Sequence, residues 1–156
     1  MLVSLERLLE ILKEERKKGK RVVFTNGCFD VIHAGHVDYL EKAKNLGDIL
    51  VVGLNSDHSV RRIKGEKRPI IPQEMRAKVL SSLKPVDYVV IFEEDTPAKL
   101  IEAIKPDVLV KGGDWPLEKI VGKDFVESYG GKVLTIPFEY DISTSQIIEK
   151  IIKLYC

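Results

Sequence analysis

Short segments rich in β-branched residues alternate with segments of helical periodicity along most of the chain. Residues 49–54 form a nearly continuous apolar run, which is typical of a strand covered on both faces. Leu5, Leu8 and Leu12 recur instead at the spacing of a helix. Right-handed crossovers place a helix between consecutive parallel strands, so this alternation predicts an open parallel sheet with helices on both faces.

The apolar segments predict about five strands, at residues 22–24, 49–54, 88–92, 108–110 and 133–136. Helices are predicted from the stripes Leu5/Leu8/Leu9/Leu12, Val37/Leu40/Ala43/Leu46, Met75/Val79/Leu80/Leu83, Leu100/Ile101/Ile104 and Ile147/Ile148/Ile151/Ile152, with a short helix at 124–129. Thr96 before Pro97 is a predicted N-cap, and Ser143 with Gln146 has capping-box spacing. We therefore predict one α/β domain over residues 1–156, with a Rossmann-like three-layer α/β/α architecture and a five-stranded parallel sheet.

The charge and cysteine content narrow the class of protein. Lys plus Arg number 25 and Asp plus Glu 24, a balance that argues against nonspecific nucleic-acid binding. The two cysteines, Cys28 and Cys156, suggest no disulfide framework, and a reducing cytoplasm is the expected location. The N-terminus carries Glu6, Arg7 and Glu10, unlike a signal peptide, and no apolar run reaches the ~20 residues of a membrane span.

Glycines and histidines follow the first predicted strand, which ends at Thr25. In a parallel α/β sheet, ligands bind outside the carboxyl ends of the strands. His33 and His36 share one face near a helix start, where backbone N–H groups favour an anion. Gly35 leaves room for a phosphate, and Gly27 allows a tight turn after the strand. A structural histidine pair and a zinc site that includes Cys28 are the alternatives.

These residues resemble a known signature. The pattern from Gly27 to His36, Gly-x-Phe-Asp-x-x-His-x-Gly-His, is similar to that of the cytidylyltransferase-like nucleotidyltransferases. A second element of these enzymes resembles residues 142–145, with Ser-Thr-Ser in place of the commoner Ser-Thr-Thr. The resemblance implies that both histidines stabilise charge at the α-phosphate of a nucleoside triphosphate. It also implies nucleotide binding by Asn26, Gly27, Phe29, Asp30, Gly35, Ser143, Thr144 and Ser145.

The helix start at Ser143 to Ser145 is an anion site on chemical grounds too, although a plain N-cap is the alternative. Residues 61–69 form a predicted basic loop after the second strand, to be weighed against a solvated charge run. We assign Lys64 as a mobile catalytic charge and Arg76 as a fixed one, both meeting phosphates. Arg68 is either a further phosphate contact or a surface salt-bridge partner.

The segment from Lys111 to Trp115 directly follows a predicted strand. Gly112 and Gly113 permit backbone contact with a base or ribose, and Asp114 is expected to accept from a hydroxyl or face magnesium. We assign Lys111, Gly113 and Asp114 to nucleotide binding. Trp115 either packs under a loop or stacks on the ligand. The sequence assigns no role to Cys28 or Cys156.

Further motifs narrow the resemblance. Asn55-Ser56-Asp57, Lys64-Gly65, Arg68-Pro69, the run 93–97 and Lys111-Gly112-Gly113-Asp114 resemble the adenylyltransferase domain of bifunctional heptose kinase/adenylyltransferases. The resemblance covers residues 21–152 and leaves 1–20 as an N-terminal helix. It implies transfer of AMP from ATP to D-glycero-β-D-manno-heptose 1-phosphate, giving ADP-heptose for lipopolysaccharide core. Because no kinase domain is visible, a separate kinase chain is expected upstream.

The implied mechanism is direct attack of the acceptor phosphate on the α-phosphorus of Mg-ATP. Mg²⁺ is expected to be held mainly by phosphate oxygens, with Asp30 a weaker candidate ligand that would otherwise orient a histidine or a backbone amide. A homodimer is compatible with the resemblance. The alternatives are a cytidylyltransferase acting on glycerol 3-phosphate, a noncatalytic nucleotide-binding protein and a zinc hydrolase. Glycerol-3-phosphate cytidylyltransferases carry an arginine shortly before their serine-threonine element. Residues 137–141 contain no arginine, which disfavours CTP as the nucleotide donor.

Overall fold

The computed structural model describes residues 1–113 and 115–156. Within these residues the strands are β1 (Val22–Gly27), β2 (Ile49–Asn55), β3 (Tyr88–Phe92), β4 (Val108–Gly112) and β5 (Lys132–Ile136). The α-helices are α1 (Leu5–Lys17), α2 (Ala34–Lys44), α3 (Asp57–Lys64), α4 (Gln73–Ser82), α5 (Ala98–Ile104), α6 (Lys123–Ser128) and α7 (Thr144–Tyr155). A short 3₁₀ helix spans Leu117–Lys119.

The five strands form one parallel sheet in the order β3-β2-β1-β4-β5. Strand order therefore reverses between β1 and β4, the kind of position where such sheets bind ligands. β1 pairs with β2 along its whole length, but it pairs with β4 at Val23 and Phe24. The predicted Rossmann-like three-layer fold is confirmed, and a cleft opens where β1 and β4 part.

Two apolar layers cover the sheet, because successive strand residues point to opposite faces. One layer includes Val23, Leu40 and Leu80, from β1, α2 and α4. The other includes Phe24 together with Leu8 of α1 and Ile101 of α5. Helices on both faces fix the carboxyl ends of β1 and β4 against one rigid scaffold.

Helix α3 lies in a region predicted in part as a loop. Residues 61–64 form its last turns, and the irregular segment is limited to residues 65–72. Ser56 caps the helix by accepting from the Ser59 amide at 3.1 Å. The sequence prediction failed here because α3 offers too few apolar residues for a helical stripe: Val60 is buried and Ile63 is exposed.

Two other helical predictions are wrong in detail. Pro97, rather than Thr96, is the N-cap of α5, and Thr96 Oγ1 lies 3.5 Å from the Ala98 amide. On α4, Met75 and Val79 are exposed, whereas the predicted phosphate ligand Arg76 is buried. The side of α4 that faces the sheet is therefore rotated from the one that the apolar pattern indicates.

The capping box of α7 is confirmed. Ser143 Oγ accepts from the Gln146 amide at 3.1 Å, and Gln146 Oε1 accepts from the Ser143 amide at 3.0 Å. The predicted buried face of this helix is not found, because α7 has no buried residue and both Ile151 and Ile152 are exposed. Helix α7 is thus held mainly at its first turn, which is the part that belongs to the site.

Candidate active site

A sharply bent turn joins the end of β1 to α2. Phe29 and Val31 adopt left-handed backbone angles, with φ of 46° and 54°. Such angles are uncommon for residues other than glycine and cluster at functional sites. Gly27 is not left-handed; a Cβ there would lie 2.9 Å from the Phe29 ring. The glycine therefore makes room for that ring, and the left-handed bend lies two residues later.

One ring nitrogen of His33 and one of His36 cap the first turn of α2. His33 is the N-cap residue, and its Nδ1 accepts from the Gly35 amide at 3.1 Å. His36 Nδ1 accepts from the His33 amide at 3.2 Å. The rings are stacked, with centroids 3.8 Å apart. Since each Nδ1 is an acceptor, we assign the proton of both neutral rings to Nε2, which makes each ring an N–H donor.

Both imidazoles are held in the neutral form. Burial, together with a smaller effect of the neighbouring His33, lowers the pKa of His36 to about 4. Burial also lowers the pKa of His33. At neutral pH the pair therefore presents two uncharged N–H donors, a form suited to hydrogen bonding with phosphate oxygen.

The start of α7 lies beside the histidine pair. A Cβ on Gly35 would lie 3.0 Å from the His33 ring and 3.4 Å from Cγ2 of Ile142, the residue that precedes the α7 cap. The structure thus brings together the two motif segments that are far apart in sequence. Their helix N-termini lie close together, an arrangement that favours a bound anion through the two helix dipoles.

The hydroxyls at the start of α7 have different tasks. Ser143 Oγ caps the helix, and Thr144 Oγ1 donates to the backbone carbonyl of Asp30 at 2.6 Å. Ser145 is exposed at the first turn. Both the hydroxyl and the amide of Ser143 are therefore engaged in the cap of α7, and the Thr144 hydroxyl is engaged with Asp30.

Asp30 is buried, with 2% of its surface exposed. Its carboxylate accepts from Arg68 Nε at 2.8 Å and from the amides of Ile70 and Ile71 at 2.8 and 2.9 Å. Burial favours the neutral acid, but the amide bonds and Arg68 outweigh it and lower the pKa of Asp30. The carboxylate orients backbone amides, one of the roles expected for it. Arg68 is its partly buried partner, with 16% of the side chain exposed, rather than a surface ion pair.

Arg76 has a role different from the predicted one. It is 1% exposed, and its guanidinium donates to the carbonyls of Ile71, Cys28 and Asn55 and to Asp57 Oδ1, at 2.7 to 2.9 Å. Four of its N–H groups are therefore committed to protein acceptors. The expected contact of this residue with phosphate is wrong in this structure, where it ties together the ends of β1 and β2.

Lys64 and Lys111 lie on the same side of the site. Lys64 is the exposed last residue of α3, followed by Gly65 with φ of 104°. Burial lowers the pKa of Lys111, and the charge of Lys64 contributes in the same direction. Burial raises the pKa of the Cys28 thiol, while Lys64 opposes that change. The predicted mobile charge of Lys64 therefore stands near the carboxyl ends of β1 and β4.

A pocket of about 80 Å³ lies where β1 and β4 part. Its polar lining includes Asn26, Lys111 and Lys119, and Trp115 forms part of its wall. Lys111 Nζ lies 5.4 Å from the centroid of the Trp115 ring, a cation–π contact. The structure thus brings together Asn26 and Lys111, two of the residues predicted to bind nucleotide. Asp114, for which a contact is also predicted, lies outside the described residues.

Sequence reasoning missed Phe138, which follows β5. A Cβ on Gly113 would lie 2.7 Å from its ring, and one on Gly112 would lie 3.1 Å away. The space over the two glycines, expected to admit a base or ribose, is partly taken by this largely exposed aromatic side chain. No local pattern in the sequence indicates this contact, because the glycines lie at the end of β4 and Phe138 follows β5.

The comparison with known families agrees with this geometry. The sequence profile of the cytidylyltransferase-like family matches residues 24–150, which include both motif segments. The chain belongs to the cytidylyltransferase-like family. Membership in this family makes the chain a nucleotidyltransferase, because the histidine turn and the start of α7 both lie within the matched residues.

Individual relatives of this cytidylyltransferase-like chain are named as bifunctional proteins. It is 59% identical over 152 residues to the bifunctional protein HldE of Geobacter sulfurreducens, covering 97% of this chain and 31% of that protein. It is 54% identical to the HldE of Alcanivorax borkumensis, of which it covers 32%. The chain therefore spans about a third of the length of these curated relatives.

Solved structures show the same fold. A lipopolysaccharide core biosynthesis protein of Thermoplasma volcanium is 33% identical, with a TM-score of 0.63, and covers 79% of this chain and 100% of its own. A pantoate-β-alanine ligase of Francisella tularensis, 15% identical with a TM-score of 0.62 over 99% of this chain and 78% of its own, shares the fold alone.

Two kinds of feature are absent from the residues that the structure describes. No helix among them has both the length and the apolar character needed to cross a membrane. Residues 1–113 and 115–156 also contain no group of three or more His, Cys, Asp or Glu side chains placed to hold a metal ion.

Proposed function

We propose that the protein transfers AMP from ATP to D-glycero-β-D-manno-heptose 1-phosphate, giving ADP-heptose and pyrophosphate in the cytoplasm. The supporting observation is the meeting of the α2 and α7 N-termini at a pair of neutral imidazole donors. Such a surface stabilises a chain of phosphates through N–H groups from two sides. The family and the HldE relatives support the reaction class. The heptose acceptor is the further step that this proposal makes.

The reaction is an in-line displacement at the α-phosphorus. An oxygen of the acceptor phosphate forms the new P–O bond, and the bond from the α-phosphorus to the bridging oxygen breaks to release pyrophosphate. The Nε2–H groups of His33 and His36 donate to oxygens that gain charge in this step, and Lys64 offsets charge on the leaving phosphates. Catalysis by positioning and preorganised donors is the expected mode for such transfers.

The described site residues fit a magnesium ion that is carried by the nucleotide. The Asp30 carboxylate is buried and committed to three protein donors, so it offers no free ligand. Mg²⁺ commonly keeps several waters and binds through substrate phosphates with few protein carboxylates. When bound there, it would neutralise phosphate charge, while the protein supplies the N–H donors.

The nucleoside half of ATP is assigned to the cleft between β1 and β4. Asn26 offers an amide and Trp115 an aromatic face at the pocket between these strands. Residues 137–141, Pro-Phe-Glu-Tyr-Asp, lack the arginine that glycerol-3-phosphate cytidylyltransferases carry before their serine-threonine element. This difference supports ATP over CTP as the donor.

A pyrophosphate-release screen tests the proposal. Each of ATP, CTP, GTP and UTP is combined with heptose 1-phosphate, other sugar 1-phosphates and glycerol 3-phosphate, and the product is identified by mass spectrometry. We expect release with ATP and the heptose. Release with CTP and glycerol 3-phosphate would favour the cytidylyltransferase, and nucleotide binding without release from any pair would favour a noncatalytic binding protein.

A further inference from the structure

Asp30 joins three segments of the site through four hydrogen bonds. Its carboxylate accepts from Arg68 Nε and from the amides of Ile70 and Ile71, and its carbonyl accepts from Thr144 Oγ1. The first three donors belong to the irregular segment 65–72, and the fourth belongs to the first turn of α7. One residue of the histidine turn therefore contacts both the segment 65–72 and the first turn of α7.

The backbone around Asp30 needs this support. Its two neighbours, Phe29 and Val31, are both left-handed, a conformation that costs non-glycine residues free energy and persists only where surrounding contacts enforce it. His33 follows two residues after Val31 and caps α2. The hydrogen bonds of Asp30 thus stabilise the bend that aims the histidine pair.

The segment bound by Asp30 directly follows Lys64, the proposed catalytic charge. Lys64 ends α3, and the Arg68 amide donates to the Gly65 carbonyl at 3.1 Å, which links the end of this helix to the residues that Asp30 bonds. The bonds at residues 68 to 71 are the next fixed points along the chain. The Lys64 end of α3 is therefore linked through Asp30 to the turn that carries the histidines.

We propose that Asp30 is a positioning residue for the transfer reaction: it holds the Lys64 segment and the start of α7 in register with His33 and His36. This role rests on the proposed function. Asp30 contacts neither phosphate nor metal, and it acts through the groups that do. The Lys64 ammonium, the start of α7 and the two histidine rings thereby act on the triphosphate as one preorganised set of donors.

Asp30→Asn is the direct test, because it keeps the shape of the side chain and places an amide group against protein donors. Misplacement of catalytic groups by about 1 Å costs about 10²-fold in rate, so we expect kcat to fall about 10- to 100-fold while KM for ATP changes less than about threefold. Asp95→Asn is the matched control, since it breaks an exposed Asp–Arg pair at Arg62. Unchanged kcat in Asp30→Asn would overturn the proposal.

A double-mutant cycle separates positioning from general support of the fold. If Asp30 places Lys64, the loss caused by Lys64→Ala is much smaller in the Asp30→Asn background than in the parent. If Asp30 merely stabilises the protein, the two losses multiply, and the proposal is wrong.

Thr144 provides a test that leaves the carboxylate intact. Thr144→Val removes the hydroxyl that bonds the Asp30 carbonyl, whereas Thr144→Ser retains it. We expect Thr144→Val to lower kcat/KM for ATP by about tenfold more than Thr144→Ser does. Equal values for the two variants would contradict the assigned link between Asp30 and α7.

Hydrogen exchange gives a result that does not depend on activity. The Ile70 and Ile71 amides are bonded to Asp30, so we expect them to be protected in the parent and to exchange faster in Asp30→Asn but not in Asp95→Asn. Unprotected parent amides would overturn the tether itself. A parent protein that shows the tether but releases no pyrophosphate would refute the proposed function instead.

Discussion

Each imidazole of the histidine pair has two distinct tasks, one for each ring nitrogen. The Nδ1 atoms of His33 and His36 accept backbone amides and shape the start of α2. The Nε2 atoms carry the protons and remain as donors. In the proposed reaction, stability and catalysis depend on different atoms of the same residue, so substitutions can separate them.

His36→Asn and His36→Gln test this division. Asparagine keeps an acceptor near the Nδ1 position but has no Nε2–H, so we expect kcat to fall about 10²- to 10³-fold. Its free energy of unfolding should stay within about 1 kcal/mol of the parent. Glutamine keeps a donor near Nε2 without the acceptor, and we expect a smaller rate loss with lower stability. Pyrophosphate release and thermal unfolding give both quantities; an asparagine variant with near-parent turnover contradicts the assignment.

The low pKa of His36 predicts a loss of stability in mild acid. Burial lowers the pKa to about 4 in the folded protein, whereas an unfolded histidine has a pKa of about 6.5. Between these values the unfolded chain binds a proton that the folded protein does not, so this contribution is present above about pH 6.5 and is lost as the pH falls toward about 4. Thermal unfolding at several pH values should show a smaller loss in His36→Asn. An equal loss in both proteins would refute the depressed pKa.

At the scale of elements, the site is built from segments that follow strands. The turn after β1 carries the histidines, α3 after β2 carries Lys64, and the segments after β4 and β5 meet where Phe138 covers Gly113. Parallel strands deliver these segments to one edge of the sheet. Small residues at strand ends then decide how closely neighbouring segments approach.

Gly113→Ala measures the contact between the segments after β4 and β5. Gly113 and Gly130 have similar left-handed angles, φ of 84° and 87°, but a Cβ on Gly113 would lie 2.7 Å from Phe138, whereas Gly130 has nothing within 4 Å. Both alanine variants should lose about 1–2 kcal/mol from the backbone term. Gly113→Ala should lose more in urea unfolding, and Phe138→Ala should remove the excess. Equal losses at the two glycines would show that Phe138 does not restrict this site.

At the scale of the whole molecule, the buried Arg76 connects elements that the sheet alone does not fix. Its guanidinium donates to the Cys28 carbonyl just after β1 and to the Asn55 carbonyl at the end of β2. It also donates to the Asp57 carboxylate at the start of α3. Arg76 thereby links the carboxyl ends of β1 and β2 to the start of α3. Loss of this residue should affect global stability rather than the reaction alone.

Arg76→Met should lower the free energy of unfolding by about 3–5 kcal/mol, because it leaves the buried carbonyls without donors and Asp57 without its partner. Arg62→Met is the control, since the Arg62–Asp95 pair is exposed and should contribute less than about 1 kcal/mol. Urea unfolding measures both. A difference below about 1 kcal/mol between the two variants would mean that Arg76 is not a structural clamp.

Local patterns predicted the parts of the fold and site that are encoded locally. The continuous apolar run of β2 and the Ser143–Gln146 capping box are each written within a few residues. Asp57 to Lys64 escaped prediction as a helix because charged residues dominate it. A helix without an apolar stripe gives no periodic signal.

Long-range partners could not be predicted in this way. Arg76 looked like a phosphate ligand, since nothing in the sequence shows that its acceptors lie 5 to 48 residues away. The link from Thr144 to Asp30 spans 114 residues. The sequence predicted which residues carry the chemistry, and the fold shows which of them hold others in place.

The most direct test of the account follows each phosphate of ATP. The protein is incubated with heptose 1-phosphate and ATP labelled at the α- or the γ-phosphate, and the products are separated. We predict that the α-label appears in the ADP-sugar and the γ-label in pyrophosphate, as attack at the α-phosphorus requires. A γ-label found in inorganic phosphate or on the sugar would contradict the account, because the bond broken would then be at the γ-phosphorus.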